Sequence, residues 1–332
     1  MDNYIFTCGD INGIGPEVVL KTFNQIYSEE KYKLTLFIPK NVFQYYKESI
    51  PLEFPYEFCN SLSVNDLSDG KVAVINIGNT NLKIGEVTSE AGKASYLSVI
   101  KGFDLIKAQL GSAIITAPIA KKAWELADIK FTGHTELFAH LTGIKNYSMM
   151  FLSPRFKAVL VTIHIPVKSV SQMINIAIIK KTILQARNTL EYDLKIKSPR
   201  IAVLGLNPHA GENGQLGNEE SEIITPAVEE LQQQDIKVEG PFVPDAFFGK
   251  KLQNQFDVVV GMYHDQVLIP FKLLNFDTGV NYTAGLPIVR TSPDHGTAFD
   301  IARKLTASPN STIEAFNWAR EIVKNRNCSL SK

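Results

Sequence analysis

Cysteine is scarce: Cys8, Cys59 and Cys328 are the only three in 332 residues, and no C-x-x-C pair occurs. An odd, widely spaced set builds no disulfide framework and lacks the ligand spacing of a cysteine-rich zinc site. Free thiols in a reducing compartment are the expectation. Net charge is also missing, since 34 Lys and Arg balance 34 Asp and Glu. That argues against a general nucleic-acid binder, which carries a basic excess, while leaving room for a local basic pocket. Long apolar runs are absent. "AVLVTI" at 158–163 is typical of the longest, far short of a membrane span. The opening "MDNYIFTCGD" has no basic region followed by an apolar one, so no signal peptide is read there. No internal repeat, low-complexity tract or disordered linker stands out. The expectation is a soluble cytoplasmic protein with no membrane and no nucleic-acid partner.

What is present is ordinary globular composition, 45% hydrophobic and 20% charged, in a chain long enough for about two domains. Short β-type runs alternate with helical stretches. "NYIFTCG" predicts a strand and "PEVVLKTFNQIY" a helix with Pro16 in its first turn, where the missing N–H costs nothing. Strands follow at 32–38, 71–77, 112–117, 158–165, 200–206 and 257–263. Helices are expected at 90–110, about 168–194, 219–234 and 311–325. This alternation points to an α/β fold with a largely parallel sheet.

Three of the six histidines share one setting. His164 ends the run "AVLVTI", His209 follows "IAVLGL" by two residues, and His264 directly follows "DVVVGMY". If those runs are parallel strands, all three imidazoles lie at the carboxyl edge of the sheet, where open α/β sheets bind ligands. Three neutral imidazoles with an open fourth position suit zinc or a similar divalent ion. Taken singly, a histidine at a strand end is more often a satisfied polar residue than a ligand; the three placements together raise the metal reading. His209 sits in "LNPHAGENGQLG" (206–217), a loop of turn-forming residues.

Other stretches carry weaker signals. "GDINGIGPE" (9–17) could bind an anion at a helix N-terminus or be a plain strand-to-helix turn; it matches no phosphate-loop spacing. "FTGHTELFAH" puts His134 and Thr135 just before a helix, with Thr135 a possible cap. Lys272 and Arg290 sit in Gly- and Pro-bearing segments read as loops, either as solvated charges or as grips on a phosphate or carboxylate.

In order from residue 9 to residue 302, "GDINGIGPE", "TAPIAKKAW", "FTGHTELFA", "VTIHIPV", "LNPHAGENG", "GPFVPDAFF", "MYHDQVLIPFK" and "GLPIVRTSPDHGTAFDIA" resemble the 4-hydroxythreonine-4-phosphate dehydrogenase family of vitamin B6 biosynthesis. The resemblance covers nearly the whole chain. It implies two α/β/α domains with a cleft between them, as in isocitrate and isopropylmalate dehydrogenases. By this reading 1–115 plus 275–332 form the first domain and 116–274 the second. It implies a homodimer with shared active sites, NAD or NADP as cofactor, and one divalent metal per site (zinc, or magnesium or cobalt) bound by histidines of both subunits. Matched motif by motif, the metal ligands fall on His164, His209 and His264. The substrate contacts fall on His134, Thr135, Lys272, Asn281 and Arg290, and the cofactor loop on Asp294, His295, Gly296 and Thr297. Family members usually read Pro-Ala where this chain has Ile11-Asn12, often Asn or His where it has Ala120, and Gly where it has Arg303. Arg303 leaves NAD against NADP open, since an arginine can receive a 2′-phosphate.

The implied reaction oxidises the C3 hydroxyl of 4-phosphooxy-L-threonine to 2-amino-3-oxo-4-(phosphooxy)butanoate, which decarboxylates to 3-amino-2-oxopropyl phosphate. Such a site needs a Lewis acid, a proton acceptor and a nicotinamide facing C3. Asp245, Asp265 and Lys121 are the candidate acceptors. Related acids such as 4-phosphoerythronate or 4-phosphothreonate would suit the same residues. A three-histidine zinc site also suits a hydrolase, but "SPDHGTAFDIA" argues for a dinucleotide that a hydrolase does not need.

Overall fold

The computed structural model describes residues 1–28, 31–60 and 70–330. In chain order its elements are β1 (Asn3–Thr7), α1 (Gly15–Ile26), β2 (Lys33–Ile38), α2 (Lys40–Ser49), β3 (Tyr56–Cys59), β4 (Val72–Asn76), α3 (Ser89–Lys107), β5 (Ala113–Thr116), α4 (Lys121–Leu126) and α5 (His134–Thr142). There follow β6 (Ser148–Leu152), β7 (Ala158–Leu160), α6 (Val170–Met173), α7 (Ile176–Tyr192), β8 (Ile201–Leu204), α8 (Thr225–Gln232), β9 (Val238–Phe242), α9 (Pro244–Gly249), β10 (Val258–Gly261), α10 (His264–Asn275), β11 (Val280–Ala284), β12 (Arg290–Pro293) and α11 (Asn310–Leu330). They fall into two compact units, Met1–Lys145 with Leu286–Val323, and Asn146–Gly285 with Lys324–Lys332.

The first unit is built on parallel strands in the order β3-β4-β2-β1-β5-β12. Its central strands "NYIFT" and "AIIT" are buried at every position, the near-continuous apolar pattern of parallel strands covered on both faces. Trp124 of α4 and Leu137 and Phe138 of α5 pack with Ile5, Val99 and Phe103. For that reason 116–145 belongs to the first unit, whereas the motif-based division assigned it to the second.

The second unit has the order β11-β6-β7-β10-β8-β9. Strands β7, β10, β8 and β9 run parallel, while β6 pairs antiparallel with both β11 and β7. Its core gathers Phe151, Phe156, Phe247, Val259 and Phe271. Buried Tyr282 donates to Asp193 Oδ2 at 2.6 Å, and Arg326 Nε donates to Asp193 Oδ1 at 2.7 Å. Arg326 Nη2 also reaches the Tyr282 hydroxyl at 2.9 Å, so the end of α11 is fastened to this unit by a buried ionic knot.

Several boundaries differ from the sequence reading. Strand β7 stops at Leu160, and the pairing goes on irregularly as Val161 N and Thr162 N donate to Gly261 O and Met262 O. The long helix expected near 168–194 breaks at Ile174–Asn175, where the Asn175 side chain accepts from Ile178 N and starts α7 afresh. The largest difference is α10: residues 264–275, read as a loop, are helical with Pro270 inside. An interior proline costs a helix about 3 kcal/mol. Burying Val267, Leu268 and Phe271 returns about 1.5–3 kcal/mol each, which outweighs it.

The three cysteines are free thiols, and burial pushes the Cys8 thiol up to about 12. Among the described residues no helix is long and apolar enough to cross a membrane.

Candidate active site

Strands β7, β10 and β8 are adjacent and parallel, so His164, His264 and His209 all follow the carboxyl ends of neighbouring strands. Gln266 ties two of those ends together. Its Oε1 accepts from Met262 N at 2.7 Å and its Nε2 donates to Gly205 O at 2.6 Å. The His164 and His264 rings stand 6.0 Å apart between centroids. His264 opens α10, and its Nδ1 lies 2.7 Å from Asp265 Oδ1. With Nδ1 protonated, the ring donates to that carboxylate and keeps the Nε2 lone pair for a ligand, the usual arrangement of a metal-binding histidine. His209 is not brought into the same cluster. Among the described residues no three His, Cys, Asp or Glu side chains converge closely enough to hold a metal.

The loop that carries His209 has an unusual backbone. His209, Ala210, Gly211, Glu212 and Asn213 have φ of 52°, 51°, 81°, 43° and 56°. Four of the five carry a Cβ, and a left-handed turn costs each of those roughly 1–2 kcal/mol. Buried Glu220 offsets that cost. It is 5% exposed, its Oε1 accepts from Leu206 N and Asn207 N at 2.7 Å each, and its Oε2 accepts from Asn207 Nδ2 at 2.9 Å. A Cβ on Gly211 would lie 2.8 Å from Glu220 Oε2, so the turn wraps the carboxylate as only glycine allows there. Helix α9, which carries Asp245 in its first turn, packs against this loop.

Further along α10, His264, Asp265 and Lys272 line one open cavity of about 410 Å³, together with Leu268, Leu273 and Phe276. Lys272 is therefore a helical residue, not a loop one. Asn281 lies on β11, and its Oδ1 is buried with no hydrogen-bond partner among the described residues.

The other expected substrate residues sit in the first unit. Arg290 is the first residue of β12, not a loop residue, and is 2% exposed. Its Nε and Nη2 donate to Thr116 Oγ1 at 3.1 and 2.7 Å, and its guanidinium stands 6.0 Å from the Phe138 ring centroid. Burial lowers its pKa to about 9, with Glu136 opposing the drop. His134 and Thr135 begin α5 and are buried. Burial, and then the Arg290 charge, hold the His134 imidazole well below its usual value, so it is neutral. Its Nε2 is buried with no hydrogen-bond partner among the described residues. The Lys121 stem passes near Gly133, just before His134. A buried cation beside an imidazole with an unused polar atom is chemistry that receives an anion.

Asp294, His295, Gly296 and Thr297 follow β12 and meet the first glycine loop. Ile14 N donates to Thr297 O at 3.0 Å, and a Cβ on Gly13 would lie 2.6 Å from that carbonyl. Ala298, Ile301 and Ala302 pack with Ile14, Val18 and Ile84. Gly296 is exposed with open space around it. The glycine loop itself is not an anion site: residues 9–20 are all buried, and Glu17 already places a carboxylate in the first turn of α1. Asp10 is fully buried, and burial raises its carboxyl to about 6. Asn12 knots the loop to 83–88, donating to Glu86 O at 2.9 Å and Thr88 Oγ1 at 3.1 Å and accepting from Lys83 N at 2.8 Å. Arg303 Nε and Nη2 both donate to Ile84 O, at 3.1 and 3.0 Å.

The roles of Glu220, Gln266 and Asn12 escaped the sequence reading. Each reaches a backbone group in another part of the chain, for which no local motif exists. The acidic pair Glu219-Glu220 just beyond the glycine-rich loop was the one available hint.

Known proteins resemble the chain along nearly its whole length. The sequence profile described as pyridoxal phosphate biosynthetic protein PdxA matches residues 30–319. The 4-hydroxythreonine-4-phosphate dehydrogenase of Prosthecochloris aestuarii is 40% identical, with 98% of each chain covered. An Oceanobacillus iheyensis protein, provisionally named a D-threonate 4-phosphate dehydrogenase, is 38% identical over 96% of each chain. The crystal structure of 4-hydroxythreonine-4-phosphate dehydrogenase from Klebsiella pneumoniae superposes with a TM-score of 0.82 at 35% identity, covering 97% of this chain and 98% of that one. Agreement of that extent, along nearly the full length and in both sequence and fold, has one meaning: the chain belongs to the PdxA family of pyridoxal phosphate biosynthetic proteins.

Proposed function

We propose that the chain is an NAD- or NADP-dependent, metal-requiring dehydrogenase that oxidises 4-phosphooxy-L-threonine to 2-amino-3-oxo-4-(phosphooxy)butanoate in vitamin B6 biosynthesis. The observation that carries this reading is the setting of His164, His209 and His264 past the carboxyl ends of three adjacent parallel strands.

The donor chemistry suits a divalent ion: the three assigned ligands are imidazoles, and His264 has its second nitrogen on a carboxylate. Within one chain His209 stands apart from the other two. When bound, zinc, magnesium or cobalt supplies Lewis-acid polarisation of the C3 hydroxyl, and the nicotinamide accepts the hydride. The chain's own residues do the rest. Arg290, His134 and Thr135, with Lys272 and Asn281, are assigned to the charged and polar groups of the substrate. Asp294 to Thr297 are assigned to the cofactor, and exposed Gly296 gives backbone access there. A protein group takes the hydroxyl proton. Asp265 is engaged with His264 and suits orienting that ring, which leaves Lys121 and Asp245 as the acceptors to separate. The product carries a ketone β to its carboxylate, so carbon dioxide is lost and 3-amino-2-oxopropyl phosphate remains.

We further propose that two copies pair and complete each other's ligand set. Helix α10 carries His264 and Lys272 and also presents Ile269, Leu273 and Phe276 at 58%, 81% and 78% exposure. Such a row on a helix bearing site residues fits burial against a second copy. Free thiols fit a reducing cytoplasm.

The test is cofactor reduction by purified protein with 4-phosphooxy-L-threonine and NAD or NADP, before and after chelation, beside a sedimentation measurement. Turnover that a chelator stops and zinc restores, in a dimer, is expected. Turnover with 4-phospho-D-threonate alone would reassign the substrate to the acid named for the Oceanobacillus iheyensis relative.

A further inference from the structure

We infer that Glu220 is a positioning residue for the metal site, holding the left-handed turn from which His209 is presented. The inference rests on the reading of His209 as a metal ligand. Glu220 opens a π-helical turn, Glu220–Ile224, an irregularity that recurs at functional sites. It projects a buried carboxylate beneath the chain just before His209. Oε1 takes the backbone N–H groups of Leu206 and Asn207, and Oε2 takes the Asn207 side-chain amide. Those donors fix the backbone just ahead of Pro208 and His209. The turn then closes over the same carboxylate: a Cβ on Gly205 would lie 3.1 Å from Oε1 and one on Gly211 2.8 Å from Oε2.

A strained turn persists only where its surroundings over-determine it. Here the carboxylate contacts both the entry to the turn and its middle, so it fixes the direction in which the imidazole leaves the chain. An anion suits this better than a neutral group, because one oxygen must accept from two backbone N–H groups at 2.7 Å. Without Glu220 the residues at positive φ can relax, and His209 swings off the ligand direction while β8 and α8 keep their packing.

The experiment uses the full chain and zinc itself, with affinity measured by competition against a chromophoric chelator. Cobalt(II) substitution reports ligand geometry through its visible spectrum, and thermal melts report the fold. Glu220→Ala is expected to lose at least tenfold in zinc affinity and to change the cobalt spectrum. Glu220→Gln, which keeps one acceptor oxygen, should recover part of both. Gly211→Ala perturbs the same contact from the other side and should weaken zinc binding too; it carries the test if Glu220→Ala fails to fold. Zinc affinity within twofold of the parent in the folded variants overturns the inference. His209→Ala is the separate control. If it binds zinc like the parent, the ligand reading itself fails and the inference falls with it.

Discussion

Replacing Arg290 with methionine should make the protein more stable and less able to bind its substrate. The guanidinium is 2% exposed, and burial takes its pKa from the usual 12.5 to about 9. Taken at face value that shift is a penalty of about 5 kcal/mol, an upper bound because a real interior relaxes around a charge. Arg290→Met gives up every bond of the guanidinium, the contact with Phe138 and the two bonds to the Thr116 hydroxyl among them, worth about 3 kcal/mol together. A net gain of about 2 kcal/mol remains, or roughly 4–8 °C in Tm. The gain should be constant from pH 6 to 8, because Arg290 is charged in both folded and unfolded chains there. Above about 9 the folded-state guanidinium sheds its proton while the unfolded one keeps it, so the parent gains stability and the difference narrows. Thermal melts of parent and variant with and without inorganic phosphate make the check. Phosphate should raise the Tm of the parent alone. A variant that melts below the parent, or responds equally to phosphate, refutes the buried anion receptor.

Arg326→Ala leaves the Asp193 carboxylate buried without its cation and should cost about 3 kcal/mol in urea unfolding; a loss under 1 kcal/mol would mean the knot on α11 is ornamental. Burial raises the Asp10 carboxyl from 3.8 to about 6. The folded chain therefore binds the proton more tightly, and stability falls as pH climbs from 4 to 6. Asp10→Asn should remove that slope, a gain of about 3 kcal/mol at pH 7 relative to pH 4, and parallel pH profiles would contradict it. Arg303→Gly should change the NADP-to-NAD ratio of kcat/KM less than threefold, because two of its donors are committed to Ile84 O. A tenfold fall in that ratio would instead mark Arg303 as the 2′-phosphate receptor.

The strand ends bearing His164, His209 and His264 were legible because parallel strands are buried on both faces and appear as unbroken apolar runs. Helix α10 was not, because Pro270 in the middle of the segment carries a stronger local signal than the tertiary burial that overrides it. The depth of Arg290 was hidden for a related reason: it depends on Thr116 and Phe138, which lie more than 150 positions away. The left-handed turn at 209–213 was invisible in kind. Histidine, alanine and glutamate give no advance notice of positive φ, which here is imposed by a carboxylate from the next helical turn. Of the two readings the glycine loop allowed, the plain turn fits the packing: Gly13 closes against Thr297, Gly9 against Pro118 and Gly15 against Cys8.

Strand β12 joins β5 through Arg290 opposite Ile114 and Thr291 opposite Ile115, with the whole of 146–285 intervening. A ribosome therefore releases the strands of the first unit long before the last of them exists. Until β12 emerges, the outer edge of β5 lacks its partner, and Thr116 and Phe138 lack the guanidinium that contacts them. The second unit waits too, since Arg326, which pairs with Asp193, is translated after all of its strands. A chain cut short anywhere before residue 290 lacks the strand that brings Arg290.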